Sequence, residues 1–201
     1  MEELTGKSKL KLGDIVVCCS LINMITEEKS MNNSKTKKLV MAALLAALCC
    51  ISTMIIKIPS PLKGYLNLGD CIVLLTGWFL TPAYGFAAAA IGSALADVFS
   101  GYIIYAPATF VIKGIMAIIA YYGFKILQNK IGNIPSRIIS GIVAEIVMVL
   151  SYFAFEGILY GFISSIVNIP ANAVQGAVGI VIGTILINVL SKSIISKYQM
   201  F

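Results

Sequence analysis

Residues 39–56, LVMAALLAALCCISTMII, form a long apolar run without a single charged side chain. A helix needs roughly 20 mostly apolar residues to cross a hydrocarbon layer of about 30 Å, so this run predicts a transmembrane helix. Comparable segments follow at Leu66–Ala96, interrupted by TPAYG at Thr81–Gly85, and at Ala106–Leu127, Ile138–Phe155 and Ile169–Leu190. Because proline and glycine favour a reversal of the chain, the interrupted segment predicts two helices.

The composition supports the same interpretation. The chain has 201 residues, of which 59% are hydrophobic and 12% are charged, and its mean hydropathy is +0.93. Soluble domains of ordinary composition are far less apolar. We therefore predict an all-α integral membrane protein, folded as a compact bundle of six transmembrane helices.

The positions of the basic residues predict how this bundle is oriented. If the N-terminus is inside, the outer loops carry only Lys57 and Lys63, and the inner flanks carry Lys35, Lys37, Lys38, Lys125, Lys130, Arg137, Lys192 and Lys197. Lysine and arginine favour the cytoplasmic side of a membrane, so we expect both termini to be cytoplasmic. Contact with anionic lipid at that side accounts for the net charge of +6, and no nucleic-acid partner is needed to explain it.

Residues 1–30 differ from the rest of the chain. Their only apolar run, IVVCCSLINM, is too short to span a membrane. The sequence MNNSKTKK at Met31 has the short basic character of a natural start directly before a helix. We interpret residues 1–30 as an N-terminal extension, disordered or upstream of the true start, and residues 31–201 as the six-helix membrane domain.

The chemistry available to the chain is narrow, because it contains no histidine. A Ser/His/Asp triad and an HExxH zinc site are therefore excluded. The five cysteines include no CxxC pair, as expected for reduced thiols that act as small hydrophobes. We expect a protein that is not an enzyme and has no metal or cofactor. Two alternatives remain open: a purely structural membrane subunit, and an intramembrane aspartyl enzyme that uses Asp70 and Asp97.

Polar residues within the apolar segments are the candidate functional residues, because they are costly in a membrane. Asn168, Asn172 and Gln175 fall on one stripe of the last predicted helix. Such a stripe is either a hydrogen-bonded seam between helices or the lining of a ligand site. The helical rise places Lys113, and also Tyr152 and Glu156, at the same depth as the amides.

This convergence of groups from three helices favours a small-molecule site. In the alternative interpretation, Lys113 pairs with Glu145, Glu156 or Asp97, and the amides only connect helices. The connection IKIPSPLKGYLNLGD, with Tyr65, Asn67 and Asp70, is a candidate lid over the site. Tyr102 and Tyr105 suit an aromatic interface belt as well as they suit ligand contact.

Small residues in the first helix predict a surface for close helix packing. Ala42 and Ala46, and likewise Ala43 and Ala47, repeat at a spacing of four. Gly179 and Gly183 form a similar pair in the last helix, which we expect to pack within the protein itself.

The block at residues 64–114, GYLNLGDCIVLLTGWFLTPAYGFAAAAIGSALADVFSGYIIYAPATFVIKG, resembles the substrate-binding S components of energy-coupling factor (ECF) vitamin transporters, in their riboflavin-type branch. A weaker likeness extends over residues 35–190. The resemblance implies a bacterial, multi-pass cell-membrane protein that captures a vitamin from outside and associates with a membrane T component and two cytoplasmic ATPases. By the same resemblance, the four alanines of the first helix contact the T component, and the pocket includes Lys113, Glu145, Tyr152, Asn172 and Gln175.

The resemblance leaves the substrate open among riboflavin, hydroxymethylpyrimidine and pyridoxine-like compounds. The only tryptophan, Trp78, lies on the second predicted helix, away from the expected site. A tryptophan sandwich around a flavin is therefore not expected.

Overall fold

The computed structural model describes residues 34–55, 57–59 and 65–190, and from Lys37 onward these residues belong to one structural unit. The elements in chain order are α1 (Ser34–Ile55), β1 (Ile58–Pro59), β2 (Tyr65–Leu66), α2 (Gly69–Phe79), α3 (Pro82–Phe99), α4 (Ala106–Ile131), α5 (Asn133–Tyr160), α6 (Phe162–Ser165) and α7 (Ile169–Leu190), with a 3₁₀ turn at Ile166–Asn168 before α7. The predicted extension at residues 1–30, the start at Met31, and Lys63, Lys192 and Lys197 lie outside the described residues.

The expected bundle of six helices is confirmed, together with the short helix α6. Five helical segments are long and apolar enough to cross a membrane: Lys35–Ile55, Pro82–Phe99, Ala106–Ile131, Asn133–Tyr160 and Phe162–Leu190. The sixth, α2, has 11 residues and is about 16 Å long at about 1.5 Å per residue. It is therefore shorter than the spanning helix that the sequence predicts.

α2 occupies the centre of the bundle. All residues from Gly69 to Trp78 are buried, and the helix contacts α3, α4, α5 and α7. Gly77 allows a close approach to α4, because a side chain there would overlap the backbone of Ala117. α2 is short and apolar, and the neighbouring helices, rather than lipid, cover it.

The other helix boundaries agree with the sequence to within a few residues. α7 has the predicted bounds, whereas α4 and α5 continue past theirs, to Ile131 and Tyr160. The break between α2 and α3 is shorter than the predicted reversal, because Pro82 is the first residue of α3. Proline is tolerated in the first turn of a helix, where its missing N–H has no partner to lose.

The two glycines of α7 pack within the protein, as predicted. A Cβ atom at Gly179 would lie 2.9 Å from Asp70 Cβ, and one at Gly183 would lie 3.1 Å from the Cys71 carbonyl oxygen. Both glycines therefore bring α7 close to the start of α2.

α1 packs on α3 and on the start of α2. Cys49 Sγ lies 3.2 Å from Ser93 Oγ, and a side chain at Gly92 would overlap the Ala46 carbonyl. After α1, strands β1 and β2 form a short antiparallel pair, with Pro59 opposite Tyr65. This pair leads the chain back to the buried start of α2.

Candidate functional site

One end of the bundle holds a cavity of about 40 Å³. It lies where α3 and α5 end and α4 and α7 begin, so four helices contribute to it, together with the end of α1 and the segment around β2. The lining residues are Thr53, Tyr65, Asn67, Ser93, Asp97, Tyr102, Tyr105, Thr109, Lys113, Tyr152, Glu156, Asn172 and Gln175. Each of these side chains carries an oxygen or a nitrogen atom, which is unusual inside an apolar bundle.

Lys113 forms an ion pair with Asp70 below this lining. Their side chains are 3% and 0% exposed, so the pair is fully enclosed. The ammonium group also lies 5.5 Å from the centre of the Tyr152 ring, a favourable cation–π distance. The partners considered from sequence, Glu145, Glu156 and Asp97, were wrong, because the position of α2 brings Asp70 to the depth of Lys113.

Gln175 connects this ion pair to the segment before α2. Its Nε2 donates to Asp70 Oδ2 at 2.7 Å, and its Oε1 accepts a hydrogen bond from the Asn67 backbone N–H at 2.9 Å. The Asn67 side chain in turn accepts from the Gly69 N–H at 2.8 Å. The amide of Gln175 therefore ties α7 to the chain that enters α2.

Asp97, at the end of α3, is held by a tyrosine from β2. Tyr65 Oη donates to Asp97 Oδ1 at 2.6 Å. Burial and the neighbouring Asp97 carboxylate raise the pKa of Tyr65, so its hydroxyl keeps the proton that it donates. Across the cavity, Thr109 Oγ1 and Tyr152 Oη lie 3.0 Å apart, which connects α4 to α5.

Glu156, near the end of α5, accepts hydrogen bonds from two sides. Asn168 Nδ2 lies 2.9 Å from Glu156 Oε1, and Tyr105 Oη lies 3.5 Å from the same oxygen. Asn168 belongs to the 3₁₀ turn before α7 and is 1% exposed. The Asn168 amide therefore hydrogen-bonds Glu156 from outside the cavity and does not line it.

The structure divides the site residues predicted from sequence into two groups. Those that line the cavity are Lys113, Tyr152, Glu156, Asn172, Gln175, Tyr65 and Asn67. Those outside its lining are Glu145, Asn168 and Asp70. Asp70, at the end of the predicted lid, lies in the first turn of α2, and residues 56 and 60–64 of that lid are outside the described residues.

Glu145 occupies the interface between α5 and α7. A Cβ atom at Gly176 would lie 2.9 Å from its Oε2, and its side chain is 5% exposed. Neither carboxyl oxygen has a hydrogen-bond partner among the residues that the structure describes. Its position is therefore a helix contact beside Asp70 rather than the cavity wall.

Some lining residues had no role in the sequence-based prediction. Thr53, Ser93 and Thr109 each place a hydroxyl in the wall. A search for every hydroxyl at cavity depth would have included them, but serine and threonine are also common packing residues in membrane helices. Their role depends on which face of the helix turns inward.

The four alanines of α1 are not equivalent in the structure. Ala42 is 6% exposed and belongs to the core, and Ala46 is half-buried, whereas Ala43 and Ala47 are exposed. Only the second pair is thus open to a partner in the membrane.

The separation of the aspartates bears on the enzymatic alternative. Asp70 pairs with Lys113, whereas Asp97 accepts from Tyr65. An aspartyl protease dyad requires two carboxyl groups that share one proton. The two aspartates have different partners, so this arrangement does not form such a dyad.

Comparisons with known proteins agree with this architecture. A family model described as "ECF-type riboflavin transporter, S component" matches residues 33–192. A solved structure described as "Structure and mechanism of the S component of a bacterial ECF transporter" superposes with a TM-score of 0.64 at 28% identity, covering 79% of this chain and 97% of that one.

A relative from Pyrococcus woesei, described as "Uncharacterized protein in gap 3'region", is 38% identical over 146 residues, which are 72% of this chain and 95% of the relative. The family model covers most of the chain, and the solved S component has the same fold. The S component is a binding subunit of a transporter rather than an enzyme. The chain is therefore a multi-pass membrane protein that belongs to the family of ECF-type riboflavin transporter S components.

Proposed function

We propose that this protein captures a water-soluble vitamin or vitamin precursor from outside the cell and presents it to an ATP-driven importer. The candidate substrates are riboflavin, hydroxymethylpyrimidine and pyridoxine-like compounds. The observation that carries the proposal is the cavity, whose lining residues all carry polar atoms inside an otherwise apolar bundle. Such a concentration of buried polar groups favours recognition of a polar ligand.

The distribution of charge supports a cavity that opens to the outside. Lys125 and Lys130 lie in the last part of α4, and Arg137 lies near the start of α5, at the end of these helices opposite the cavity. Basic residues favour the cytoplasmic side. The proposed orientation therefore has cytoplasmic termini and the cavity on the outer side of a bacterial cell membrane.

Uptake also requires partners that supply energy. The sequence contains no complete Walker phosphate loop, so we assign ATP hydrolysis to two cytoplasmic ATPase subunits and coupling to a membrane T component. The exposed alanines Ala43 and Ala47 offer a shallow surface for that component, because small side chains let membrane helices approach closely.

Native mass spectrometry tests the capture of a ligand. We expect protein purified from its own host in mild detergent to carry a small molecule of vitamin size. Gln175→Ala, which removes a polar group from the cavity wall, should lose the bound molecule. Ala177→Leu, on the exposed side of the same helix, is the matched control and should keep it.

A different result would favour the structural alternative. If the wild-type protein carries no ligand, stays empty with riboflavin, pyridoxine, thiamine and hydroxymethylpyrimidine, and supports no uptake, the capture function is contradicted. In that case Lys113→Met and Gln175→Ala would alter stability alone.

A further inference from the structure

We infer that the ligand of this cavity is an organic cation, namely a small single-ring nitrogen heterocycle that carries a protonated amine or amidine group. This inference rests on the proposed capture function and names the chemical class of its substrate. It follows from the charge, hydrogen bonding, aromatic lining and size of the cavity.

The charges of the lining do not balance. The lining contains two carboxyl groups, those of Asp97 and Glu156, and one amine, that of Lys113. The ammonium group of Lys113 is already paired with Asp70 below the lining. Lys57 lies 5.8 Å from the centre of the Tyr65 ring and is not among the lining residues. Glu156 therefore faces the cavity without a cation nearby among the described residues, and Asp97 has only the more distant charges of Lys57 and Lys113.

The hydrogen bonds of these two carboxylates are also incomplete. Asp97 and Glu156 are 5% and 3% exposed, and each binds protein donors through one oxygen only. Asp97 Oδ2 and Glu156 Oε2 have no partner among the described residues. A buried acceptor that loses water without gaining a donor is destabilising, so a ligand with N–H donors would satisfy both oxygens.

Aromatic rings accompany the two carboxylates. The ring centres of Tyr65 and Tyr102 lie 4.7 Å apart, and those of Tyr102 and Tyr105 lie 6.4 Å apart. All three tyrosines line the cavity. The negative face of an aromatic ring attracts cations, so tyrosines next to carboxylates suit an ammonium or amidinium group better than a neutral one.

The size of the cavity favours a small ring. Its volume of about 40 Å³ has room for a few water molecules, whereas pockets for drug-sized ligands occupy about 300–1,000 Å³. The walls must move apart for any heterocycle to enter. A single ring requires much less movement than the three fused rings of a flavin.

Matched ligand pairs test this inference without any mutation. Isothermal titration calorimetry on the purified full-length protein would compare pyridoxamine with pyridoxine, which differ by an amine and a hydroxyl at one position. A second pair, compared in mildly acidic buffer, is 4-amino-5-hydroxymethyl-2-methylpyrimidine, which becomes an amidinium-type cation when a ring nitrogen is protonated, and its 4-hydroxy analogue, which stays neutral. We expect the amine of at least one pair to bind about tenfold tighter or more, since charged hydrogen bonds are the stronger ones.

Variants then assign the preference to its residues. Asp97→Asn and Glu156→Gln should each reduce the preference for the amine to near unity. Asn129→Asp changes one charge at the exposed far end of α4 and should leave the preference unchanged.

Other outcomes overturn the inference. Equal or tighter binding of the neutral member in both pairs contradicts it, as does the absence of binding by all four compounds. A neutral flavin found in the native protein would overturn it while leaving the capture function intact. A native protein without any ligand or uptake activity contradicts the capture function instead.

Discussion

Lys113 and Asp70 show how a single pair of residues can set the energetics of the site. Both side chains are almost completely inaccessible to solvent, and Gln175 donates a second hydrogen bond to the carboxylate. A charge in a membrane interior is tolerated when it is paired in this way. The pair also joins α4 to the start of α2, so it supports the wall of the cavity from below.

We predict that Lys113→Met strongly destabilises the protein. The substitution leaves the buried Asp70 carboxylate without its counter-ion, and removing one partner of a buried pair costs about 3–5 kcal/mol. The double variant Asp70→Asn with Lys113→Met should recover part of that loss, because it removes both charges. Thermal unfolding of the detergent-purified protein measures both effects.

The control is Lys130→Met, which removes an exposed lysine from the last turn of the same helix. It should have little effect on the unfolding temperature. If the double variant is as unstable as the sum of its single variants, Asp70 and Lys113 do not stabilise the protein as a pair.

At the scale of elements, α7 holds the segment that leads into α2 through a hydrogen bond and a packing contact. Gln175 accepts a hydrogen bond from the Asn67 backbone, and Gly179 packs against Asp70. Asn67 and Tyr65 both line the cavity. A change in α7 can therefore be transmitted directly to the cavity wall formed by these two residues.

We predict that Gln175→Ala increases hydrogen–deuterium exchange at the Asn67 amide. The substitution removes the acceptor of that N–H, and exchange reports such local opening. Mass spectrometry of peptides covering residues 65–70 measures the change.

Asn172→Ala provides a control for the loss of an amide from the same helix and the same cavity. Unchanged exchange in both variants would show that Gln175 does not hold this segment in place.

At the scale of the whole molecule, the proposed transporter needs one surface for the ligand and another for the T component. The cavity lies among the ends of α3, α4, α5 and α7, whereas Ala43 and Ala47 are exposed near the middle of α1. The two surfaces share no residue. Substitution at one of them should therefore leave the other intact.

We predict that Ala43→Leu or Ala47→Leu abolishes association with the T component and uptake, while ligand binding remains normal. The larger side chain prevents close approach of a partner helix. Co-purification with the T component and calorimetry on the isolated protein measure the two properties separately. Ala177→Leu, on the exposed side of α7, is the matched control; equal loss of ligand binding and association would contradict this division.

Much of the candidate site was accessible from the sequence because polar residues are costly in a membrane. Lys113, Tyr152 and Gln175 stand out within apolar helices, and all three line the cavity. Glu145 stands out for the same reason but lies at a helix interface. A polar residue therefore marks a buried environment, whereas its neighbours decide whether that environment is a cavity or a contact.

The sequence by itself determined the helical membrane fold, because a chain without external hydrogen-bond partners in lipid must satisfy its backbone within helices. It also placed the polar groups of α4, α5 and α7 at a common level, since helical rise is constant. Only the tertiary structure decided that Asp70 pairs with Lys113, that Asn168 supports Glu156, and that Ala42 belongs to the core. These contacts depend on the central position of the short helix α2 and on the rotation of each helix about its axis. Packing between distant segments sets both, and no local pattern of residues records them.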